Sequence, residues 1–152
     1  MTYNKDISIV ISLFNEEESL PELISWIEKV MASNGYKYEI IMVDDGSRDR
    51  SWDIIRELSG KNPCIRDISF RRNYGKSAAL FHGFKAAEGR VVITMDADLQ
   101  DSPDEIPELY RMVTEEGYDI VFVARAKTPY LKSTDIFRAM KSHLQQANVL
   151  KN

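Results

Sequence analysis

Asp96 and Asp98 stand one residue apart, with Gln100 and Asp101 close behind. They follow the apolar run Val91-Val92-Ile93-Thr94 and precede Pro103, which places them where a strand gives way to a helix. Carboxylates this close repel each other, and the usual relief is a bound cation. Asp and Gln supply hard oxygen ligands, which suit Mg2+ or Mn2+ better than zinc. A metal of that kind that also held a diphosphate would make the chain a handler of nucleotides.

Two further polar groups follow apolar runs in the same way. Asp44-Asp45-Gly46-Ser47 comes after Glu39–Val43, and Asn15-Glu16-Glu17-Glu18 comes after Ile7–Leu13. Each also has a plainer reading. Asp44 and Asp45 alone fit a solvated turn as well as a site, Asp101 and Ser102 fit N-caps, and Glu17 and Glu18 fit first-turn charges that complement a helix dipole. His82, Trp26 and Trp52 fall at helical positions and read as packing residues. Arg71 and Arg72 read equally as a phosphate grip or a solvated strand end.

The elements that must position these groups alternate. Ile7–Leu13 reads as a strand rich in β-branched residues, and Leu20, Leu23, Ile24, Ile27, Val30 and Met31 mark a helix over about 17–32 that Asn34-Gly35 closes. Strands over 39–43, 65–70, 91–95 and 118–123 alternate with helices over 49–58, 77–88 and 103–116, the last starting late if Pro107 lies in its first turn. Such alternation predicts an α/β fold with a mostly parallel central sheet and helices on both faces. Ligands in such sheets bind at the carboxyl ends of the strands, where the three acidic groups fall. The tail from Leu131 to Leu150 has apolar residues at helical spacing, so it is expected to be a helix packed on the domain or on a second copy. Lys132, Arg138, Lys141 and His143 give it a second reading, a basic helix lying on a membrane surface.

Composition narrows the classes. A chain of 152 residues, 43% hydrophobic and 29% charged, suits one globular domain. A net charge of −4 argues against nucleic acid as a partner. The single Cys64 excludes an internal disulfide and a cysteine zinc site, and His82 and His143 stand too far apart in sequence to suggest a metal cluster. No apolar run reaches the ~20 residues that cross a bilayer, and no signal peptide is evident, so the expected location is cytoplasmic.

The motifs together resemble family 2 glycosyltransferases. Ile9–Glu17 is similar to their opening motif, Val43–Asp49 to the second, Arg72–Leu80 with Gly83 and Ala87-Glu88-Gly89 to the third, and Asp96–Pro103 to their metal-binding motif. The third and fourth look most like the polyprenyl-phosphate branch that includes dolichol-phosphate mannose synthase. The resemblance implies a Rossmann-like GT-A fold and a metal-dependent, inverting transfer from a UDP- or GDP-linked sugar, with a polyprenyl phosphate as acceptor at the inner face of a membrane. It further implies that Asp96, Asp98 and Gln100 gather Mg2+ or Mn2+. Ser12, Phe14, Asn15 and Glu16 would wall the nucleotide pocket, Asp44 or, preferably, Asp45 would meet the base or ribose, and Lys76 would add positive charge, with Asp96 close to the nucleotide. No general base is assigned.

Two departures qualify this. The family usually has proline where this chain has Ser12, which implies a less rigid first loop. Family members also continue well past the fifth strand, so residues 1–125 read as the nucleotide-sugar-binding domain and residues 126–152 as the helical start of an acceptor-side region. A nucleotide-binding module without transferase activity of its own is the alternative. A phosphate-accepting receiver is a third, which would carry an acyl-phosphate on one aspartate.

Overall fold

The structure, a computed structural model, describes residues 2–124 and 136–141, with side chains described through Asp119. Its elements run β1 (Lys5–Leu13), α1 (Leu20–Asn34), β2 (Tyr38–Asp44), α2 (Ser51–Lys61), β3 (Ile65–Ser69), α3 (Lys76–Ala86), β4 (Gly89–Asp96), a 3-10 turn (Pro103–Glu105), α4 (Ile106–Thr114), β5 (Ile120–Ala124) and β6 (Ile136–Lys141). The strands form one six-stranded sheet in the order β3-β2-β1-β4-β6-β5. Within it β3, β2, β1 and β4 are parallel, while β6 runs antiparallel to both β4 and β5. The expected α/β architecture is therefore the one observed.

The apolar runs explain why these strands lie at the centre. Ile7 through Ile11 are all buried, as a strand covered on both faces requires. Alternate residues then feed two cores. Ile7, Ile9, Ile11, Ile40, Met42, Val91 and Ile93 pack with the apolar stripe of α1, with Ile55 of α2 and with Ile106, Leu109 and Val113 of α4. Val10, Ile41, Val43 and Val92 face the other way and pack with Ala79 of α3. On that second face α3 lies close to the sheet because Gly83 has no side chain: a Cβ there would come within 2.3 Å of Val10 Cγ1. The six buried apolar side chains of α1 contribute about 1.5–3 kcal/mol each, so packing rather than capping holds that helix.

Several boundaries differ from the sequence reading. Helix α1 begins at Leu20, with Pro21 in its first turn, so Glu17 and Glu18 precede the helix. The helix expected over 103–116 opens as a 3-10 turn and becomes α-helical at Ile106, with Pro107 in its first turn. Ser102 makes no side-chain cap there, and Asp101 has another task described below.

The tail is a correction. The segment expected to be helical contains strand β6 over Ile136–Lys141, inserted between β4 and β5. The open edge of β4 offers a row of backbone donors and acceptors, and a short segment of ambiguous periodicity satisfies them as a strand. The remainder of the expected tail helix lies outside the described residues.

Candidate functional site

Strands β2, β1 and β4 end level with one another. Leu13 pairs with Asp44, and Ser12 pairs with Asp96, so the polar residues that follow converge on one edge of the sheet. Strand order reverses there: from β1 the chain proceeds through β2 to β3, then returns to place β4 on the other side of β1. Open α/β sheets bind ligands in the crevice that such a reversal leaves.

A cleft of about 230 Å3 lies at this position. Ser12, Leu13, Phe14 and Glu16 line it from the end of β1, Asp45 from the end of β2, and Lys76 from the start of α3. Asp96, Ala97 and Asp98 complete it from the end of β4. Of the residues expected from sequence, Ser12, Phe14, Glu16, Asp45, Lys76, Asp96 and Asp98 thus come together. Leu13 and Ala97 were not anticipated, because nothing in an apolar side chain marks a wall of a polar cleft. Asn15, Asp44 and Gln100 are outside the lining, and the structure gives each a local bond.

Asn15 adopts a left-handed backbone, φ 54°, and bridges two loops. Its N–H donates to Ser47 Oγ at 2.9 Å, and its Oδ1 accepts the Arg48 N–H at 2.8 Å. The Glu16 N–H donates to Ser51 Oγ and the Glu17 N–H to Asp49 Oδ2. The loop after β1 is therefore tied to the loop after β2. Ser12 itself lies inside the β1 ladder, paired on both sides, so the expected slack at that residue is not where the loop begins.

Asp44 forms a turn, its Oδ1 accepting the Ser47 N–H at 3.0 Å, but it is buried where the plainer sequence reading had a solvated turn. Asp45 is also buried but reaches across the cleft, where its two oxygens accept the N–H groups of Tyr74 and Gly75 at 2.7 and 3.0 Å. That grip fixes the start of α3, where Gly75 has φ 98° and Lys76 is the first helical residue. Gly46 belongs to the same lock, since a Cβ there would meet the Arg72 carbonyl carbon at 2.3 Å.

The β4 side is built from local bonds. Asp98 is exposed, and its Oδ1 accepts the Gln100 N–H at 3.2 Å. Leu99 stands at φ 63°, a strained conformation for a leucine, and its side chain packs against the main core. Asp101, read as a cap from sequence, is buried and turns back to accept the Asp96 N–H at 2.8 Å. Asp101→Ala leaves that N–H without this acceptor and is expected to lower stability by about 1–3 kcal/mol in urea unfolding. An unchanged midpoint would show that the bond does not hold the loop.

The cleft is electrostatically crowded. Burial pushes the Glu16 carboxyl above its usual range, and the charges of Asp98, Asp49 and Asp96 push it further, against a hydrogen bond from Ser19. Burial also raises Asp96, against the pull of Lys76, with Asp101 and Asp98 adding to the rise. Lys76 Nζ lies 2.5 Å from Asp96 Oδ1. Raised carboxylates carry an unfavourable charge at neutral pH, which a cation relieves. Among the described residues no three Asp, Glu, His or Cys side chains form a complete metal cage. The oxygen donors of Asp96 and Asp98 fit a hard cation that uses one or two carboxylates and completes its shell with phosphate and water, as Mg2+ does.

The model of the family described as glycosyl transferase family 2 matches residues 8–146. The chain belongs to glycosyl transferase family 2. This family 2 chain is 45% identical over 124 residues to an undecaprenyl-phosphate 4-deoxy-4-formamido-L-arabinose transferase of Pseudomonas syringae, a match covering 80% of the chain and 36% of that protein. A protein of the same name from Pectobacterium atrosepticum is 43% identical over 139 residues, covering 91% of the chain and 41% of the relative. The family 2 chain thus spans well under half the length of these relatives. Its fold matches a mannosyltransferase from Pyrobaculum calidifontis in complex with GDP-Man and Mn2+, with TM-score 0.77 and 20% identity over 97% of this chain and 47% of that one. It also matches the glucosyl-3-phosphoglycerate synthase of Mycobacterium tuberculosis in complex with Mn2+, UDP and phosphoglyceric acid, with TM-score 0.71 and 24% identity over 93% of this chain and 57% of that one. These likenesses show the GT-A fold.

Proposed function

We propose that the chain is the nucleotide-sugar-binding part of a metal-dependent, inverting glycosyltransferase whose acceptor is a polyprenyl phosphate. The observation that carries this reading is the convergence of Asp45, Lys76, Asp96 and Asp98 on one cleft at the level ends of three strands. The names of the relatives support undecaprenyl phosphate as the acceptor and 4-deoxy-4-formamido-L-arabinose as the sugar. On this reading residues 1–125 serve the donor and the chain beyond them opens the acceptor side, at a membrane surface. Among the described residues no helix is long and apolar enough to cross a membrane.

Each residue has a part in that reading. Phe14, 41% exposed, offers a ring face to the base. Asp45 lines the cleft and Asp44 does not, which supports Asp45 as the partner of a base N–H or ribose hydroxyl. Glu16 and Ser12 wall the pocket, with Asn15 holding that wall in place. Lys76 directs its ammonium to the phosphates. Asp96 and Asp98 hold the cation, and Gln100 fixes the Asp98 carboxylate through its N–H. When bound, the cation neutralises charge that develops on the departing nucleoside diphosphate. An acceptor phosphate oxygen attacks the anomeric carbon from the side opposite the leaving group, forming the new C–O bond as the bond to the diphosphate breaks. That oxygen is anionic at neutral pH, so the cleft needs no strong base.

Calorimetric titration with UDP and GDP, the nucleotide parts of the candidate donors, each with Mn2+ and with EDTA, tests the donor half of this reading. Mn2+-dependent binding of one nucleotide is expected, and silence from both in the folded chain would overturn it. The second reading is a module that binds the donor and transfers nothing alone. Donor binding without transfer to undecaprenyl phosphate would support that. Membership in the family displaces the phospho-receiver reading.

A further inference from the structure

Lys76 makes an unusual contact for a residue meant to meet phosphate. Its ammonium lies 2.5 Å from Asp96 Oδ1, with the two side chains 41% and 23% exposed. The contact is set up by the backbone rather than by chance of a long side chain. Asp45 grips the N–H groups of Tyr74 and Gly75, Gly75 turns at φ 98°, and α3 begins with Lys76 facing the cleft. On the opposite wall, β4 ends at Asp96, whose own N–H is held by Asp101. Both partners are thus anchored from behind.

The surroundings give this ion pair a consequence. Asp96 shares its cleft with the carboxylates of Glu16, Asp45 and Asp98. Among the described residues that line the cleft, Lys76 is the single cationic side chain. One oxygen of a proposed metal ligand is therefore already neutralised from within the protein. A divalent cation that takes that oxygen must push a positive charge aside, and a lone cation gives the displaced ammonium no new partner. A nucleoside diphosphate does, because its phosphate oxygens accept the ammonium as the metal takes the carboxylate.

We propose that Lys76 is a displaceable counterion that holds Asp96 and releases it to a divalent cation when a diphosphate arrives to receive the ammonium. The inference rests on the donor reading for the diphosphate and on the Lys76–Asp96 geometry for the competition. Its effect is to make the metal and the nucleotide bind as a pair: Mn2+ alone binds weakly, and the two together bind well. No covalent step is involved. Lys76 is a positioning residue for the metal in addition to any contact it makes with phosphate.

The test is Mn2+ binding followed by the electron paramagnetic resonance signal of free Mn2+, a readout independent of transfer. It compares the unaltered chain, Lys76→Met, Lys76→Gln and Lys85→Met. Lys85 lies exposed near the far end of α3 and is removed as a control for net charge. Without nucleotide, Lys76→Met and Lys76→Gln are expected to bind Mn2+ about tenfold tighter than the unaltered chain, a gain of about 1.4 kcal/mol, while Lys85→Met changes affinity less than twofold. UDP or GDP is then expected to raise Mn2+ affinity more in the unaltered chain than in Lys76→Met, after correction for the Mn2+ that the nucleotide binds in solution. Unchanged or weaker Mn2+ binding in both Lys76 variants overturns the proposal, as does an equal gain in Lys85→Met or no Mn2+ binding by any of the folded proteins. Tighter Mn2+ binding in the Lys76 variants with no nucleotide bound by any protein would uphold the competition at Asp96 and overturn the donor reading instead. Circular dichroism melts confirm that each variant is folded.

Discussion

Asp98→Ala is expected to abolish Mn2+-dependent binding of the donor while leaving the fold intact. The side chain is exposed, and its hydrogen bond among the described residues is the one it accepts from the Gln100 N–H, so the fold loses little by its removal. Unfolding in urea should shift by no more than about 1 kcal/mol. Binding should fall much further, because Asp98 and Asp96 are the carboxylates at the end of β4 that line the cleft. A hard cation held by only one or two protein carboxylates depends heavily on each. Calorimetry with the nucleotide sugar and Mn2+ reads the loss directly, as a decline of more than a hundredfold (about 2.7 kcal/mol). Unaltered donor affinity in Asp98→Ala would remove this residue from the metal site.

The largest effect on stability is expected far from the cleft, at Glu39. This carboxylate is almost fully buried at the start of β2, and four groups converge on it. Ser8 Oγ donates at 2.6 Å, the Glu88 N–H at 2.7 Å, Arg66 Nη1 at 3.1 Å and Lys5 Nζ at 3.2 Å. Together they join β1, β2, β3 and the turn into β4, while Ser8 Oγ also accepts the Gly89 N–H. Breaking a buried ion pair from one side commonly costs 3–5 kcal/mol, and the partial exposure of Lys5 and Arg66 places Glu39→Ala at about 3 kcal/mol. For a chain of this length that lowers the melting temperature by roughly 10 °C.

The same site gives a signed pH dependence. Burial pushes Glu39 up, but the bonds from Ser8, the Glu88 N–H, Arg66 and Lys5 prevail and hold it below the ordinary value of 4.5. A depressed carboxylate binds fewer protons folded than unfolded, so its contribution is complete above the ordinary value and is lost as pH falls through the folded one. The stability gap between the unaltered chain and Glu39→Gln should therefore narrow below about pH 4.5. A gap that stays constant through that range would contradict the charge-based account of Glu39.

Glu39 also shows where sequence reasoning stops. It sits inside an apolar strand, Tyr38–Asp44, and its partners Ser8, Arg66 and Glu88 come from β1, β3 and the turn into β4. No local pattern links them, and only the sheet order brings them together. The cleft was more legible because its residues follow strand ends, and strand ends can be read from apolar runs. Asp45, Asp96, Asp98 and Lys76 were found that way or by family resemblance, and they meet in space. What those residues bond to was not legible. The grip of Asp45 on Tyr74 and Gly75 spans 29 and 30 residues, and the return of Asp101 to the Asp96 N–H replaced a cap that local chemistry favoured equally well.

The tail makes the same point in reverse. Its apolar spacing fitted a helix over a short stretch, but the edge of β4 offered backbone partners that spacing cannot register, and Ile136–Lys141 became β6. Periodicity decided correctly where one face was buried over many turns, as in α1, and failed where the competing strand partner lay about 45 residues upstream in sequence.

The most direct test of the central claim is to locate the cation. Crystals of the chain grown with Mn2+ and the nucleoside diphosphate that binds it should show an anomalous manganese peak within coordination distance of the Asp98 and Asp96 carboxylates, bridged to the diphosphate. A manganese bound elsewhere, or a nucleotide seated in this cleft with no metal between it and Asp98, would contradict the account.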